Sequence, residues 1–379
     1  MTTTESAFNL DFDLHLLRPS GATLSEYIFC FILFNSILLF AYYNRNRKYT
    51  EVFTWILTVV FCVYAFYDTD YFTFGRDYTK GLENFRDPLY YYISKISFGS
   101  YTIFRLLIWG IAVVLVYKIF KKFNIQSNIA IFIFATFSLL IFSYARASLG
   151  MSLYYYGLTF ILFNKNNRPE NIIFCILLFI LSFWAHRSMA LLIIITPVIY
   201  ISLNKKSMFL IFIIGILALY ILNNLFIDLI FSQLDDNTSV GHSANRYKAL
   251  ENEVEMNWKF KLTSYLNKAT YIISVIYLGL MFVKQNFRNT CDINIKRLYN
   301  IVLFTFIISM IFLLNDMQGL YVIGYRFLYM TGIPICIILA YLYKHKIIKR
   351  RTIYWLLICP VLYSESFLAG KILSMSNIL

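Results

Sequence analysis

Long apolar runs separated by short basic or mixed-charge segments recur from residue 26 to residue 370. A helix needs roughly 20 apolar residues to cross the hydrocarbon core of a bilayer, somewhat fewer when polar ends reach the interface. The pattern predicts membrane-crossing helices at 26–43, 52–67, 101–117, 128–144, 147–163, 171–185, 188–203, 207–231, 267–283, 299–314, 326–343 and 353–370. The expected fold is all-α: a multispanning integral membrane protein of about 12 transmembrane helices, residues 1–379 forming one integral domain. Its two large polar interruptions, 68–100 and 232–266, are expected as outer loops.

Composition supports the same class, since 59% apolar and 19% aromatic residues exceed what a water-soluble surface tolerates. Charge fixes the orientation. Alternate loops, beginning with 44–51, hold 19 of the 34 Lys and Arg residues and only Glu51, Glu170 and Asp292. Lys and Arg collect on the cytoplasmic side, so these loops are inside and both termini outside. The net charge of +14 is thus a topology signal and gives no reason to invoke nucleic acid. Residues 1–25 are polar and of mixed charge, unlike a cleavable signal peptide. Scattered cysteines and histidines, with no Walker or Rossmann motif, point to no metal, nucleotide or other cofactor.

Five of the six helices expected to run inward carry a cation near their outer end: Arg105, Arg146, Arg187, Lys268 and Arg326. A helix N-terminus already bears partial positive charge, so a cation there calls for an anion. Free N–H groups, dipole and guanidinium together suit a phosphate or diphosphate. Three of these cations have a competing role: interfacial snorkelling for Arg146, contact with anionic headgroups for Arg187, and a structural ion pair for Arg326, which has Asp316 nearby. His186 is either a general base or a residue that closes a helical turn.

The first loop, DTDYFTFGRDYTKGLENFRDPLYYYISKISFGS, is dense in carboxylates, tyrosines and basic residues, a composition suited to sugar rings and hydroxyls. Within it Pro88–Ile96 is amphipathic, too short to span and opened by a proline, which predicts a helix in the membrane interface. Asp68 and Asp70 are spaced either to hold a divalent cation or simply to shape a turn. The second loop, with Asp235, Asp236, His242, Arg246 and Glu251, Glu253 and Glu255, is either a solvated lid or a substrate gate. Tyr154, Tyr155 and Tyr156 either line a groove or pack a helix.

Tyr144-Ala-Arg146-Ala-Ser-Leu-Gly150, followed by two spans and Trp184-Ala-His186-Arg187-Ser188, resembles the central signature of EpsG-type and Wzy-type polysaccharide polymerases. Asp70-Tyr71, Tyr78, Asp87-Pro88-Leu89-Tyr90 and Tyr325-Arg326-Phe-Leu-Tyr329 fall in the order that family shows, and the resemblance covers roughly residues 60–345. Asp87 stands where the family often has Glu. The resemblance implies a GT-C-like glycosyltransferase that joins polyprenyl-diphosphate-linked repeat units at the outer face of a bacterial cytoplasmic membrane. It implies catalytic roles for His186, Arg146, Arg326 and Asp70, and substrate binding by Arg187, Arg76, Asp87, Tyr71, Tyr78, Tyr90, Tyr325 and Tyr329. A flippase and a chain-length regulator are the implied partners. An O-antigen-type ligase uses the same donor chemistry, and a lipid-linked oligosaccharide flippase or transporter also needs cations for diphosphate. The absence of an evident internal repeat and the gathering of charges at one face speak against transport.

Overall fold

A computed structural model describes residues 22–43, 48–67, 69–80, 87–125, 133, 145–164, 168–202, 207, 210–211, 213–215, 217, 258–283, 291–313 and 318–375. The helices are α1 (Leu24–Tyr43), α2 (Lys48–Val63), α3 (Thr69–Lys80), α4 (Pro88–Lys95), α5 (Tyr101–Lys122), α6 (Ala145–Leu162), α7 (Pro169–Ala185) and α8 (Met189–Ile195). A 3₁₀ turn, Thr196–Tyr200, extends α8. They are followed by α9 (Trp258–Val283), α10 (Ile293–Leu313), α11 (Gln318–Met330), α12 (Gly332–Lys344) and α13 (Arg350–Met375). Among the described residues there is no strand.

Among the described residues, six helices are long and apolar enough to cross a membrane: 24–42, 101–122, 265–283, 293–313, 324–344 and 350–375. Each coincides with a predicted span. Four shorter apolar helices fall on the predictions at 52–67, 147–163, 171–185 and 188–203. The predicted spans 128–144 and 207–231 lie almost wholly outside the described residues, as do residues 1–21 and most of the 232–266 loop.

The chain divides into two compact units, residues 1–193 with 339–379, and residues 194–338. In the first, α1 packs on α2 and α13, α2 on α5, α5 on α6, and α6 on α7. The predicted first outer loop is more ordered than its polarity suggests. It contains α3, where the polar composition predicts loop, as well as the expected α4. Tyr71, Phe72, Gly75 and Tyr78 recur at helical spacing and turn inward, while Arg76 and Thr79 stay exposed. On α4, Tyr90, Ile93 and Ser94 are buried against α5 and α7, while Tyr92 and, just beyond the helix, Ile96 and Phe98 are exposed. An apolar edge on a short non-spanning helix is what interfacial seating requires. Phe98 and Gly99 both adopt positive φ, 52° and 76°, and reverse the chain into α5.

Arg105 is what holds this loop. It is 2% exposed. Its Nε donates to Val63 O at 2.7 Å and its Nη2 to Cys62 O at 2.7 Å, the last carbonyls of α2. Those carbonyls lack intrahelical partners and sit at the negative end of the helix dipole, so a guanidinium suits them. Nη1 reaches Tyr101 Oη at 3.4 Å, and Tyr101 donates in turn to Tyr71 O at 2.7 Å. The guanidinium also lies 4.6 Å from the Tyr71 ring centroid and 5.9 Å from that of the buried Trp109. Arg105, counted in the sequence among the anion-binding cations, is therefore a structural clamp joining α2, α3 and α5.

Arg105→Met is expected to lower stability by about 3 kcal/mol, because charge-assisted bonds are lost and buried carbonyls are left unsatisfied. Arg105→Lys is expected to restore only part of it, since one ammonium lacks the guanidinium's fork. Thermal unfolding of the detergent-solubilised protein checks both, and a midpoint unchanged by Arg105→Met would remove the clamp from this account.

Candidate functional site

The first half of α6 carries Ala147, Ser148, Gly150 and Ser152, all buried. Small side chains let helix backbones approach closely. At Gly150 the approach is at its limit: a Cβ there would lie 2.9 Å from Met189 Cγ and 3.3 Å from Ser182 O. Ser182 Oγ donates to Gly150 O at 2.7 Å. Lower down, a Cβ on Gly157 would lie 3.0 Å from Leu178 Cβ, and Tyr154 Oη donates to Leu192 O at 3.0 Å. Tyr154 also stacks on Phe179 at 4.9 Å, so this tyrosine packs a helix and lines no groove.

The Gly150–Ser182 lock sets the geometry of the motif residues. Arg146 precedes Gly150 by four residues and His186 follows Ser182 by four. One turn beyond the lock, about 6 Å along each axis, the start of α6 and the end of α7 thus lie at the same end of the hairpin. His186 is the residue that ends α7, with φ −160° and ψ 119°. Its N–H donates to Ser182 O at 3.0 Å and its carbonyl accepts from Met189 N at 2.9 Å, closing a tight turn into α8. The His186 ring is half-buried and Arg187, in the turn, is exposed. Of Arg146 and Asp70 the structure describes the backbone; Asp68 lies outside the described residues.

The loop tyrosines take a different place from the one their composition suggests. Tyr71, Tyr78 and Tyr90 are buried. Tyr71 meets the Tyr101 ring at 5.5 Å, Tyr78 meets Phe104 at 5.2 Å and bonds Ser97 through its hydroxyl, and Tyr90 meets Phe104 at 6.0 Å. Their faces are turned to other rings, so the expectation that they stack on sugars gives way to a core role. Asp87, also buried, stands at the N-terminus of α4, its carbonyl accepting from Tyr90 N at 3.1 Å. Arg76 is exposed on α3.

The second unit holds the other expected group. Asn267 Nδ2 donates to Tyr329 Oη at 2.9 Å, joining α9 to α11. Tyr329 meets Tyr271 at 6.1 Å and Tyr325 at 5.9 Å, and Lys268 Nζ lies 5.7 Å from the Tyr325 ring centroid. Tyr325 and Tyr329 are buried and Arg326 is half-buried between them in sequence. A second glycine lock positions this stretch: Ser309 Oγ donates to Gly324 O at 2.7 Å, and a Cβ on Gly324 would lie 2.8 Å from Leu313 Cγ and 2.9 Å from Leu313 N. Asp316, the expected ion partner of Arg326, lies outside the described residues. Among those described, none hydrogen-bonds or ion-pairs with Arg326.

The expected coincidence of cation and helix N-terminus falls, at Arg146, on residues before Ala145 that lie outside those described. It does not hold for Arg105, Lys268 or Arg326, which are the fifth, eleventh and ninth residues of their helices. At Lys268 and Arg326 the side-chain charge stands without a helix N-terminus beside it. Sequence reasoning missed Asn267, an amide inside an apolar run, and the serine partners of the two glycines; small residues at helical spacing were the available signal.

A family model described as the EpsG family matches residues 27–377. No curated protein and no solved structure matches the chain.

Gly324→Ala is expected to destabilise by about 1–3 kcal/mol, because the added methyl meets backbone that cannot turn aside. Gly110→Ala, where a Cβ meets nothing within 4 Å, is expected to be neutral or mildly stabilising. Paired thermal-unfolding curves decide the matter; equal midpoints for the two variants would mean that the α10–α11 contact is not a tight one.

Proposed function

The chain belongs to the EpsG family, a membrane family with a general role in polysaccharide polymerisation, and we propose that it is a glycosyltransferase that joins polyprenyl-diphosphate-linked oligosaccharide repeat units at the outer face of a bacterial cytoplasmic membrane. The observation that carries this reading is the Gly150–Ser182 lock, which gathers Arg146, His186 and Arg187 at one end of the α6–α7 hairpin.

The reaction is a substitution at an anomeric carbon. A hydroxyl of the incoming lipid-linked unit attacks that carbon, its bond to the diphosphate oxygen breaks, and the glycan passes to the incoming unit. Charge develops on the departing diphosphate, which fixed guanidinium groups stabilise without proton transfer. Arg146 and Arg326 take that role, with Arg187 binding the phosphates. A half-buried imidazole accepts the hydroxyl proton, and His186 is the candidate; Asp70 is the alternative base. Arg76, on α3, and Asp87, just before α4, are the candidates for binding the glycan. Such a pathway brings in a flippase to deliver the units and a regulator of chain length.

Arg146→Ala is expected to cut the rate by about two to three orders of magnitude, the usual cost of losing one preorganised charge stabiliser. In the native host this reads as loss of the surface-polysaccharide ladder with the single repeat still displayed, at normal protein levels. His186→Gln is expected to slow polymerisation by about a hundredfold or more. Polymer accumulating unattached on its lipid after deletion would instead identify a ligase, repeat units trapped on the inner leaflet a flippase, and an unchanged ladder would sink the glycan reading.

A further inference from the structure

Asn267 is 3% exposed, and its carboxamide is satisfied at one end only. Nδ2 donates to Tyr329 Oη at 2.9 Å, while Oδ1, also buried, finds no hydrogen-bond partner among the described residues. Turning the amide over leaves the situation unchanged: Tyr329 then donates to the oxygen and the NH₂ group is the end left over. A buried polar end without a partner costs about 1–3 kcal/mol, which a native chain retains where something else completes the bond.

The two helices that this bond joins also carry cations. Lys268, the next residue, lies with its Nζ 5.7 Å from the Tyr325 ring centroid and 5.8 Å from that of Tyr265. Arg326 precedes Tyr329 by three residues, which puts the two within about 60° of each other on the helix. It is half-buried within the 324–344 candidate span, and no described residue ion-pairs with it. Asn267 and Lys268 likewise lie within the 265–283 candidate span. A cation in such a segment that the protein does not itself pair faces a cavity or a ligand.

We propose that Asn267, Lys268, Arg326 and Tyr329 form a bipartite binding site in which the cations take a phosphate and the open end of the Asn267 amide reads a hydroxyl of the sugar attached to it. A hydroxyl both donates and accepts, so it satisfies either orientation of the amide. Tyr329 acts as a positioning residue that holds the amide. The identity of the ligand as a sugar-bearing polyprenyl diphosphate rests on the polymerase reading above; the division of labour between amide and cations rests on the geometry.

The test uses the full chain in lipid nanodiscs and two probes: bare polyprenyl diphosphate, and polyprenyl diphosphate carrying one N-acetylhexosamine. Affinity is followed for the wild type, Lys268→Gln, Arg326→Gln and Asn267→Leu. The two cation variants are expected to weaken both probes about tenfold or more, and Asn267→Leu to weaken only the sugar-bearing probe, about tenfold. Tyr329→Phe, which keeps the ring and frees the amide to turn, is expected to lower affinity for the sugar-bearing probe alone by a smaller factor, and it serves if Asn267→Leu unfolds. Equal loss of both probes in Asn267→Leu and Tyr329→Phe, or no loss in either, overturns the proposal while leaving the polymerase reading in place. Failure of the wild type to bind either probe overturns both.

Discussion

Among the described residues, two helix crossings, each made by a glycine and a serine, hold the stretches that carry Arg146, His186 and Arg326. At Gly150 and at Gly324 the neighbouring helix comes so near that a methyl group would not fit, and a serine hydroxyl, from Ser182 and Ser309 respectively, bonds the glycine carbonyl at 2.7 Å. The apolar effect does little to choose between helix pairings in lipid, where tails are as apolar as leucine; close contact and interhelical hydrogen bonds make the choice. Each crossing also sets the height of a motif. Arg146 lies one turn before Gly150, and Tyr325, Arg326 and Tyr329 follow Gly324 directly.

The buried or half-buried arginines of the two units answer the same electrostatic problem in different ways. Arg105 is given to carbonyls: the ends of α2 neutralise it with dipoles, and Tyr71 and Tyr101 close around it. Arg326 sits mid-helix with no such acceptor among the described residues, beside tyrosines already joined to Asn267 and Tyr271. An arginine that the protein itself satisfies is a piece of architecture. One that the described protein leaves unsatisfied is better placed to meet something from outside.

The helices were legible because a bilayer imposes a length on apolar runs, and every described helix long enough to cross lies on a predicted span. The motif Arg146 to Gly150 and its partner at His186 were legible too, because four-residue spacings on a helix translate directly into one turn. What failed was inference from residue type alone. A tyrosine-rich polar segment reads as a sugar platform, yet Tyr71, Tyr78 and Tyr90 recur at spacings that bury them against α5, and α3 went unread because its apolar stripe is diluted by Asp70, Arg76, Asp77 and Lys80. Arg105 was misassigned for a topological reason: its acceptors are 42 and 43 residues away in sequence. Asn267 was invisible because a lone amide in an apolar run declares nothing until its partner, 62 residues later, is placed beside it.

The position of Trp109 beside the Arg105 clamp makes the chain its own optical gauge. Its indole is 1% exposed and its ring centroid lies 5.9 Å from the guanidinium, whereas Trp184 and Trp355 face outward. Trp55, on α2, is buried as well, so the emission lost in Trp109→Phe is the part that registers whether Arg105 still joins α2 to α5, without any label attached to the protein.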